Sequence, residues 1–494
     1  MNNKSLWSKY IDNNKKNEND KFSKVDVLII GGGLSGISTA FELKDSNLNI
    51  CLIESNKIAS GTTSLTTGKL TYLQDTIYTD LSKMHSLKES EEYLKSQLYA
   101  IKHIKDIVKK YKIDCDLIKN DSYIFCTKDE DIKKIDDECS ILKKFNIDCE
   151  ITNELPIKFP CKYALKVKDT FVFNPVKYIN GLVVAIDNKI KICEGVRALE
   201  VKEENDIYIV KTNKNVFKAK YVIVCTHYPF FILPGLIPFK TNIQKSHVVA
   251  SKVNDIKYFN AISIGKETYS IRYTKDKDSY IIFAGESYKM SNHINYEERE
   301  KELELKFKKY FNTDIDYTWS IHDITSNDLL PLIGKIDGNN LLTATAFNKW
   351  GMTNGILSGK VLSDIVLNNK NEFIDLFKLN RKITLKRAYN FLCDSLNISK
   401  IFLRTKIDRN KSFYNDRVKI VSIDGKSYGI YKDDNGKKHK IRNLCPHMKC
   451  SLIFNFMDKT WDCPCHGSRF DIDGNVIKGP SVLNIKIDDY NNKL

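Results

Sequence analysis

The first strong pattern along the chain is an apolar run, Val25–Ile30, interrupted only by Asp26. A nearly continuous apolar run is typical of a parallel strand that is buried on both faces. A glycine-rich turn, a helical segment (Ile37–Leu43) and a second apolar run (Asn49–Ile53) follow it. This alternation of strand and helix predicts an α/β domain that begins near residue 25.

Later segments add further elements to this domain. Apolar residues recur at helical spacing over Leu94–Val108, which predicts an amphipathic helix packed on the core. Tyr269–Tyr273 and Tyr280–Phe283 are predicted to form paired strands. Leu341–Ala346 is predicted to be another strand, followed by a helix over Ile356–Leu367.

A different pattern begins near residue 415. Val418–Tyr431 alternates around an Asp-Gly turn and predicts the first hairpin of a small all-β domain. Residues 396–414, rich in lysine, arginine, asparagine and aspartate, predict a linker. We therefore expect an N-terminal extension with little to bury (1–24), a large domain (25–395), this linker and a C-terminal all-β domain (415–494).

Composition narrows the functional classes. The net charge of +16 over 494 residues is spread along the chain, with no basic stripe of the kind that binds nucleic acid. The most apolar stretch, Val222–Phe239, is too interrupted to be an integral membrane segment. Nine of the 13 cysteines are scattered without paired spacing, and the polar N-terminus has no export signal. These features predict a cytoplasmic protein.

The glycines after the first strand form the pattern G-x-G-x-x-G at Gly31, Gly33 and Gly36. In this pattern the first glycine permits a tight turn, the second the close approach of a pyrophosphate, and the third close packing of helix on strand. Glu54 ends the second strand about 20 residues later, where an acid accepts hydrogen bonds from the ribose. Strand, glycines, helix and acid in this order predict a dinucleotide site.

Residues 25 to about 395 resemble the D-amino-acid-oxidase-like (DAO) family of FAD-dependent oxidoreductases, which includes sarcosine and glycine oxidases. The resemblance rests on the glycine pattern, on the small hydroxylated segment Ala59–Lys69, and on the lack of a second G-x-G-x-x-G in the sequence. It implies FAD, held in a Rossmann-like α/β domain of the glutathione-reductase type, with an α+β substrate subdomain. The implied FAD-binding parts are about 25–75, 165–232 and 325–370, and the implied substrate subdomain is about 76–164 and 233–324.

The resemblance also implies roles for individual residues. Ala219–His227 would close the FAD domain, and Val196 would lie beside the adenine. Gly351–Thr353 would open a helix whose N-terminal amides stabilise negative charge on the reduced flavin. Beyond the three glycines, the implied FAD-binding residues are Glu54, Thr66, Thr67, Lys69, Val196, Gly351, Met352 and Thr353.

Two residues are candidates for chemistry on a substrate. Arg272, in a predicted strand, is a candidate anchor for a substrate carboxylate, because a guanidinium fork matches that shape. Its alternative is an ordinary arginine on the strand surface. Lys349 is a candidate to polarise flavin N5 or oxygen, and its alternative is a solvated loop lysine. His227 is predicted to be a satisfied structural histidine.

The C-terminal domain contains two mixed cysteine–histidine pairs, Cys445 with His447 and Cys463 with His466. Two thiolates on one iron and two imidazoles on the other are the ligands of a Rieske [2Fe–2S] cluster. Zinc also takes two cysteines and two histidines, but zinc-finger spacing puts both cysteines in one pair. The mixed pairs therefore favour a Rieske cluster.

Residues 415–494 resemble the Rieske family through these pairs and through Gly479–Ser481, which is similar to the proline loop that shields the cluster. Lys449 departs from the family, which usually has glycine before the cysteine. The two remaining cysteines, Cys450 and Cys465, are expected to bridge the two cluster loops. A disulfide that closes about 15 residues stabilises a fold by roughly 3 kcal/mol.

Two residues that follow the last ligand, Ser468 and Phe470, influence the reduction potential of the cluster. In quinol-oxidising Rieske proteins, a serine and a tyrosine there donate hydrogen bonds to sulfur atoms. Ser468 keeps the first donor, whereas Phe470 replaces the tyrosine and has no hydroxyl. A mid-range potential, below that of the quinol-oxidising type, is therefore predicted.

Together the motifs resemble a bacterial type that joins these two families. They predict an oxidoreductase that couples two-electron flavin chemistry on a small amine, amino acid or hydroxy acid to one-electron transfer through the cluster. A one-electron carrier protein or a quinone is a possible partner. A Rieske ring oxygenase is disfavoured, because the sequence has no H-x₃₋₄-H pair outside the cluster motif. An electron-transfer or redox-sensing protein without small-molecule turnover stays open.

Overall fold

The computed structural model describes residues 4–12, 24–230, 235–275, 278–290, 296–336, 339–381, 416–456 and 458–487. The strands are β1 (Lys24–Ile30), β2 (Ile50–Glu54), β3 (Lys69–Leu70), β4 (Ile118–Cys126), β5 (Cys149–Thr152), β6 (Tyr163–Val172), β7 (Lys191–Glu194), β8 (Ala198–Glu204), β9 (Ile207–Thr212), β10 (Val216–Val224), β11 (Thr241–Val253), β12 (Phe259–Ser263), β13 (Ser270–Lys275), β14 (Ser279–Lys289), β15 (Tyr317–Ser326), β16 (Leu332–Lys335), β17 (Leu341–Thr345), β18 (Val418–Ile423), β19 (Lys426–Lys432), β20 (Lys438–Arg442), β21 (Ile453–Asn455), β22 (Thr460–Asp462), β23 (Arg469–Phe470) and β24 (Val476–Lys478). The helices are α1 (Leu34–Leu43), α2 (Ile77–Met84), α3 (Leu87–Tyr111), α4 (Ile132–Lys144), α5 (Pro175–Ile186), α6 (Ile237–Lys240), α7 (Tyr296–Phe311), α8 (Gly351–Leu367) and α9 (Ile374–Phe377).

The first layer is a mixed sheet in the order β16-β17-β10-β1-β2-β7, with the hairpin β8-β9 beside β10. β1 pairs in parallel with both β2 and β10, and its apolar residues are buried, as the continuous apolar run predicts. The chain leaves β1 for β2 on one side and returns through β10 on the other. A crevice therefore opens at the C-terminal end of β1, where the strand order reverses.

The second layer is a largely antiparallel sheet in the order β15-β11-β14-β13-β12-β4-β6-β3, with β5 beside β6. The predicted pairing of two strands is confirmed, because Arg272 in β13 lies opposite Ile282 in β14. The amphipathic helix predicted over Leu94–Val108 lies within α3. The predicted α/β domain with an α+β subdomain is thus confirmed.

The N-terminal segment corrects one prediction. Leu6 and Trp7 are each only 1% exposed, and Trp7 Nε1 donates to the Thr66 carbonyl at 2.7 Å. Asn180 Nδ2 donates to the Tyr10 carbonyl at 2.9 Å. The expectation that residues 1–24 have little to bury is therefore wrong for residues 4–12, because two large apolar side chains in a polar segment dock into the core.

The C-terminal domain consists of two small antiparallel sheets, β18-β19-β20 and β21-β22-β23-β24. Trp461 and Phe470 are fully buried in its core. The predicted hairpin β18-β19 is confirmed, with Asp424 and Gly425 at φ values of +50° and +71°. The linker predicted over 396–414 lies outside the described residues. Across the described ranges, every helix is too short or too polar to cross a membrane.

Candidate functional site

A cavity of about 1120 Å³ lies at the crevice above the C-terminal end of β1. Pockets for small ligands typically measure about 300–1,000 Å³. The wall of the cavity comes from the glycine turn after β1, from the second sheet and from residues 476–482 of the C-terminal domain. The cavity is therefore large and lies where open α/β sheets bind dinucleotides.

The glycine turn has the geometry that a dinucleotide site requires. Gly31 has φ +113°, and a Cβ there would lie 2.5 Å from the Cys225 carbonyl oxygen. A Cβ on Gly36 would collide with the Gly31 carbonyl oxygen, so helix and strand pack as closely as predicted. Gly33 lines the cavity directly before the N-terminus of α1. The amides at that terminus attract phosphate.

Glu54 lies at the end of β2, beside the glycine turn. Its Oε2 accepts a hydrogen bond from the Gly32 N–H at 2.7 Å, and its Oε1 accepts one from the Asn56 N–H at 2.7 Å. The Val196 N–H donates to the Glu54 carbonyl at 2.9 Å. Both Glu54 and Val196 line the cavity, and these bonds hold the Glu54 carboxylate beside the glycine turn.

The hydroxylated loop after β2 forms a second part of the wall. Thr66, Thr67 and Lys69 all line the cavity. Lys69 Nζ donates to the Ala261 carbonyl at 2.9 Å, and burial lowers the pKa of Lys69 well below its usual range. Since Trp7 binds the other side of this loop, the loop is held from both sides.

Arg272 is bound to the same loop from behind. Its guanidinium Nη1 donates to the carbonyls of Thr67 at 2.5 Å and Gly68 at 2.7 Å, and Nε donates to the Tyr273 carbonyl at 3.3 Å. Its guanidinium carbon lies 5.3 Å from the centre of the Trp7 ring. Arg272 is fully buried and does not line the cavity. The predicted contact with a substrate carboxylate is therefore wrong, and the guanidinium instead holds the loop in place.

Helix α8 begins at the cavity. Gly351 and Met352 line the wall. Thr353 does not line it, because its side chain is 1% exposed and its Oγ1 accepts a hydrogen bond from Gln74 Nε2 at 3.1 Å. The role predicted for Thr353 belongs to its backbone amide at the start of α8, and it stays a prediction.

Lys349 and two carboxylates line the same cavity. Lys349 has φ +72° and is exposed to the cavity, whose other wall residues include Asp75 and Asp323. Burial by the cavity walls lowers the pKa of Lys349, while both carboxylates act to raise it. Burial also raises the pKa of Asp75 and of Asp323 above the usual range. These three groups are the titratable candidates for proton transfer.

His227 and Tyr228 follow β10 and line the cavity between the two domains. His227 has φ +67°, and its buried Nε2 has no hydrogen-bond partner within the described ranges. Burial lowers the pKa of His227 well below its usual range, so the ring is neutral. The prediction of a satisfied structural histidine is wrong.

The predicted cluster ligands are brought together at the tip of the C-terminal domain. The Cys463 thiol donates a hydrogen bond to Cys445, which lowers the pKa of Cys445 below its usual range. The rings of His447 and His466 are 5.0 Å apart, and no described residue bonds to any of their nitrogens. Burial lowers the pKa of His447 to about 4 and of His466 to about 3, so both are neutral imidazoles. Thiolate and neutral imidazole are the forms that bind metal.

The surrounding loops agree with this site. Cys450 and Cys465 form the expected disulfide. Lys449 has φ +59°, the left-handed conformation that glycine favours, so its departure from the family leaves the turn intact. The Ser468 hydroxyl bonds to the Cys445 thiol and also accepts a backbone hydrogen bond from the proline loop.

The histidine edge of this site faces the large domain. The Tyr228 ring centre lies 5.5 Å from that of His466 and 6.4 Å from that of His447. His466 is 4% exposed and Tyr228 is 3% exposed. One aromatic ring therefore lies between the cluster ligands and the cavity.

A buried ionic group fixes the two domains together. Lys245 Nζ, in β11 of the large domain, lies 3.6 Å from Asp458 and 3.5 Å from Asp462 of the C-terminal domain. Arg469 pairs with the same two carboxylates, and Ser320 Oγ donates to Asp458 at 2.7 Å. Burial alone would raise the pKa of Asp462, but Arg469 and Lys245 outweigh it and lower that pKa to about 2. The carboxylates are therefore ionised and paired across the interface.

Four residues of the site were not found from the sequence: Asp75, Tyr228, Asp323 and Lys478. The first three belong to no motif and are assembled by the sheets. Lys478 directly precedes the proline loop, which is the one sequence signal near it, but its position depends on how the domains dock.

Comparison with known proteins agrees with this geometry. The family model of FAD dependent oxidoreductases matches residues 26–365, and that of the Rieske [2Fe-2S] domain matches residues 404–488. Both predicted cofactors, FAD and the [2Fe–2S] cluster, are thereby confirmed.

Individual relatives cover the chain to different extents. YhfW of Bacillus subtilis (strain 168), named as a Rieske 2Fe-2S iron-sulfur protein, is 32% identical over 480 residues, which cover 94% of this chain and 93% of YhfW. The cytochrome b6-f complex iron-sulfur subunit 3 of Nostoc sp. (strain PCC 7120) is 39% identical over 62 residues, 12% of this chain and 35% of that subunit. Glycine oxidase from Geobacillus kaustophilus shares the fold over 73% of this chain and 100% of its own, with a TM-score of 0.62 and 14% identity.

Proposed function

Because the chain belongs to the FAD-dependent oxidoreductase family and continues into a Rieske [2Fe–2S] domain, we propose that it oxidises a small amine, amino acid or hydroxy acid and releases the electrons singly. The substrate carbon gives up a hydride, its nitrogen or oxygen gives up a proton, and an imine or carbonyl is left. FAD supplies the two-electron chemistry and the cluster the one-electron chemistry. The two electrons then pass, one at a time, to an external one-electron carrier protein or quinone.

The observation that carries this proposal is the contact between Tyr228 and the cluster ligands. Tyr228 lines the cavity, and its ring centre lies 5.5 Å from that of His466. Electron tunnelling falls steeply with distance, so two redox groups on either side of one buried ring are close enough to exchange electrons. The histidine edge is covered by this chain's own cavity wall, because Tyr228 packs against both ligand rings.

We propose the following assignments of residues to the two cofactors. Cys445 and Cys463 bind one iron, and His447 and His466 bind the other. The FAD contacts are made by the residues that were predicted from the sequence and line the cavity: Gly31, Gly33, Glu54, Thr66, Thr67, Lys69, Val196, Gly351 and Met352.

For the substrate, we propose that Lys349 accepts the proton that leaves nitrogen or oxygen. Burial has lowered its pKa, as a lysine general base requires, and the charges of Asp75 and Asp323 act on it within the same cavity. The likeness to glycine oxidase supports an amino acid or amine as the substrate class.

We also infer a cytoplasmic location from the free thiols scattered through the large domain.

The first test is an anaerobic screen of amines, amino acids and hydroxy acids on the purified holoprotein, watching for loss of flavin absorbance. We expect one class to bleach the flavin, and Lys349→Met should abolish that bleaching without loss of bound FAD. If no compound bleaches the flavin but external carriers still exchange electrons with it, the alternative without small-molecule turnover is correct.

The second test follows electrons inside the molecule. After photochemical reduction of the flavin, cluster reduction is followed by EPR. Tyr228→Leu should slow cluster reduction several times, whereas Tyr228→Phe keeps the ring and should not. Tyr221→Leu, which lies on the preceding strand β10 and does not line the cavity, is the matched control. An unchanged rate in Tyr228→Leu would contradict the proposed contact.

A further inference from the structure

The C-terminal domain forms part of the wall of the FAD cavity. β24 and the proline loop after it line the cavity over residues 476–482. Within this segment Lys478 is the one cationic side chain. We propose that Lys478, although it belongs to the Rieske domain, binds the negatively charged diphosphate of FAD.

The position of Lys478 supports this role. Its Nζ donates to Thr62 Oγ1 at 3.0 Å. The next residue, Thr63, accepts a hydrogen bond from the Leu34 N–H at 3.1 Å, and its Oγ1 lies 3.2 Å from where a Cβ on Gly33 would be. Lys478 therefore binds the residue next to Thr63, and Thr63 contacts the glycine turn and the N-terminus of α1. A dinucleotide places its diphosphate at that turn and helix N-terminus.

The electrostatic environment of Lys478 also favours the diphosphate as its ligand. Burial and the nearby Arg469 lower the pKa of Lys478 to about 7. Arg469 is neutralised by Asp458 and Asp462, whereas no carboxylate of the described residues lies within ion-pair distance of Lys478 Nζ. Lys478 is half-buried, and a cation that is partly removed from water and bonds to a neutral hydroxyl is destabilised. An anion in the cavity offsets that cost, and the diphosphate is the anion that this site takes.

A second anion is possible in this cavity, namely the flavin ring after reduction. The two are distinguishable, because the diphosphate is charged in both redox states. If Lys478 binds the diphosphate, its loss weakens the binding of oxidised FAD. If it faces the flavin ring, its loss lowers the flavin midpoint potential and leaves the affinity for oxidised FAD unchanged, which would overturn the proposal.

The experiment measures the dissociation constant of FAD for the full chain with its cluster in place. Flavin is removed and FAD is titrated back while its fluorescence is followed. Lys478→Met should raise the dissociation constant about tenfold or more, since a hydrogen bond to a charged group contributes roughly 1.5–3 kcal/mol. Lys478→Arg should keep most of the affinity, and the affinity of the unmodified chain should fall with salt more steeply than that of Lys478→Met.

The matched control is Lys486→Met, which removes an exposed lysine of the same domain outside the cavity. It should leave the dissociation constant unchanged. An equal loss of affinity in both variants, or in neither, would overturn the proposal. Cluster EPR reports folding of the domain, and if Lys478→Met loses that signal, Lys478→Gln takes its place with the same expectation. Because only FAD binding is measured, failure of the substrate screen leaves this result unaffected.

Discussion

The two cofactor sites of this chain are assembled in opposite ways. The cluster ligands come from one short stretch, Cys445–His466, held by a disulfide within it. The FAD cavity draws its wall from Ile30 to Val482, across both sheets and both domains. A site built from a short stretch keeps its geometry wherever its domain lies, whereas the FAD site is complete only when the C-terminal domain is docked.

The two sites also differ in charge. The cluster site presents neutral imidazoles and thiols, and its ionic neighbours are paired across the interface. The FAD cavity holds titratable groups whose pKa values are shifted by burial, among them Asp75, Asp323, Lys349 and Lys478. Perturbed pKa values of this kind mark the place where ligands bind and protons move.

The largest expected effect is the complete loss of one cofactor while the other is kept. Gly33→Val should abolish FAD binding, because a side chain at the start of α1 blocks the approach of the diphosphate. The cluster EPR signal should remain. His466→Cys is the reciprocal variant, which should lose the Rieske EPR signature and keep FAD. Flavin absorbance and EPR on the same samples check both, and loss of both cofactors in either variant would contradict the independence of the cluster site.

The next effect concerns docking. Lys245→Met removes a fully buried cation that faces Asp458 and Asp462. Breaking a buried ion pair costs about 3–5 kcal/mol, and because Arg469 still pairs with both acids we expect a loss near 3 kcal/mol in the free energy of unfolding.

Denaturant unfolding followed by cluster absorbance checks this loss. The control is Lys252→Met, on the same strand, whose pair with Asp278 is solvent-exposed and therefore contributes little to stability. Equal losses in the two variants would mean that the buried group does not stabilise the docked state.

A smaller effect tests the cluster alone. Phe470→Tyr restores a hydroxyl that donates to a cysteine ligand and stabilises the reduced cluster. A hydrogen bond to a charged group contributes roughly 1.5–3 kcal/mol, which corresponds to a rise of about 60–130 mV. Ser468→Ala should lower the midpoint in voltammetry. Phe454→Tyr adds a hydroxyl elsewhere in the same core and should not raise it. If Phe470→Tyr leaves the midpoint unchanged, the hydrogen-bond account of this site is wrong.

The smallest effect is a pH dependence of FAD affinity. Without the diphosphate the pKa of Lys478 is about 7, and binding of an anion raises it. Affinity should therefore be constant below pH 7 and fall as the pH rises above about 7, by up to tenfold per unit. The charged and titratable groups that act on Lys478 or respond to it are Arg469, Asp323, Asp462, His227 and His322.

Titration of FAD at several pH values checks this slope. Lys478→Met should remove it, because the charge that weakens with rising pH is gone. A slope that persists in Lys478→Met would assign the pH dependence to one of the neighbouring groups instead.

The sequence by itself determined both cofactors and the order of the two domains. Gly31, Gly36 and Glu54 lie within one strand–helix–strand unit, and the four cluster ligands lie within two short loops. Their geometry follows from local spacing, so the pattern is sufficient to find them. The turn at Lys449 is a further case in which local sequence is sufficient, since the residue adopts the αL conformation without the usual glycine.

Only the tertiary structure decided what surrounds the FAD cavity. Arg272 has the chemistry of a substrate anchor. In the folded chain its guanidinium instead packs on Trp7 and donates hydrogen bonds to the hydroxylated loop, so its role is structural. Tyr228 and Lys478 belong to no motif, and they meet the two cofactor sites only because a buried ionic group docks one domain on the other. Contacts between residues hundreds of positions apart depend on that docking, and spacing along the chain carries no information about it.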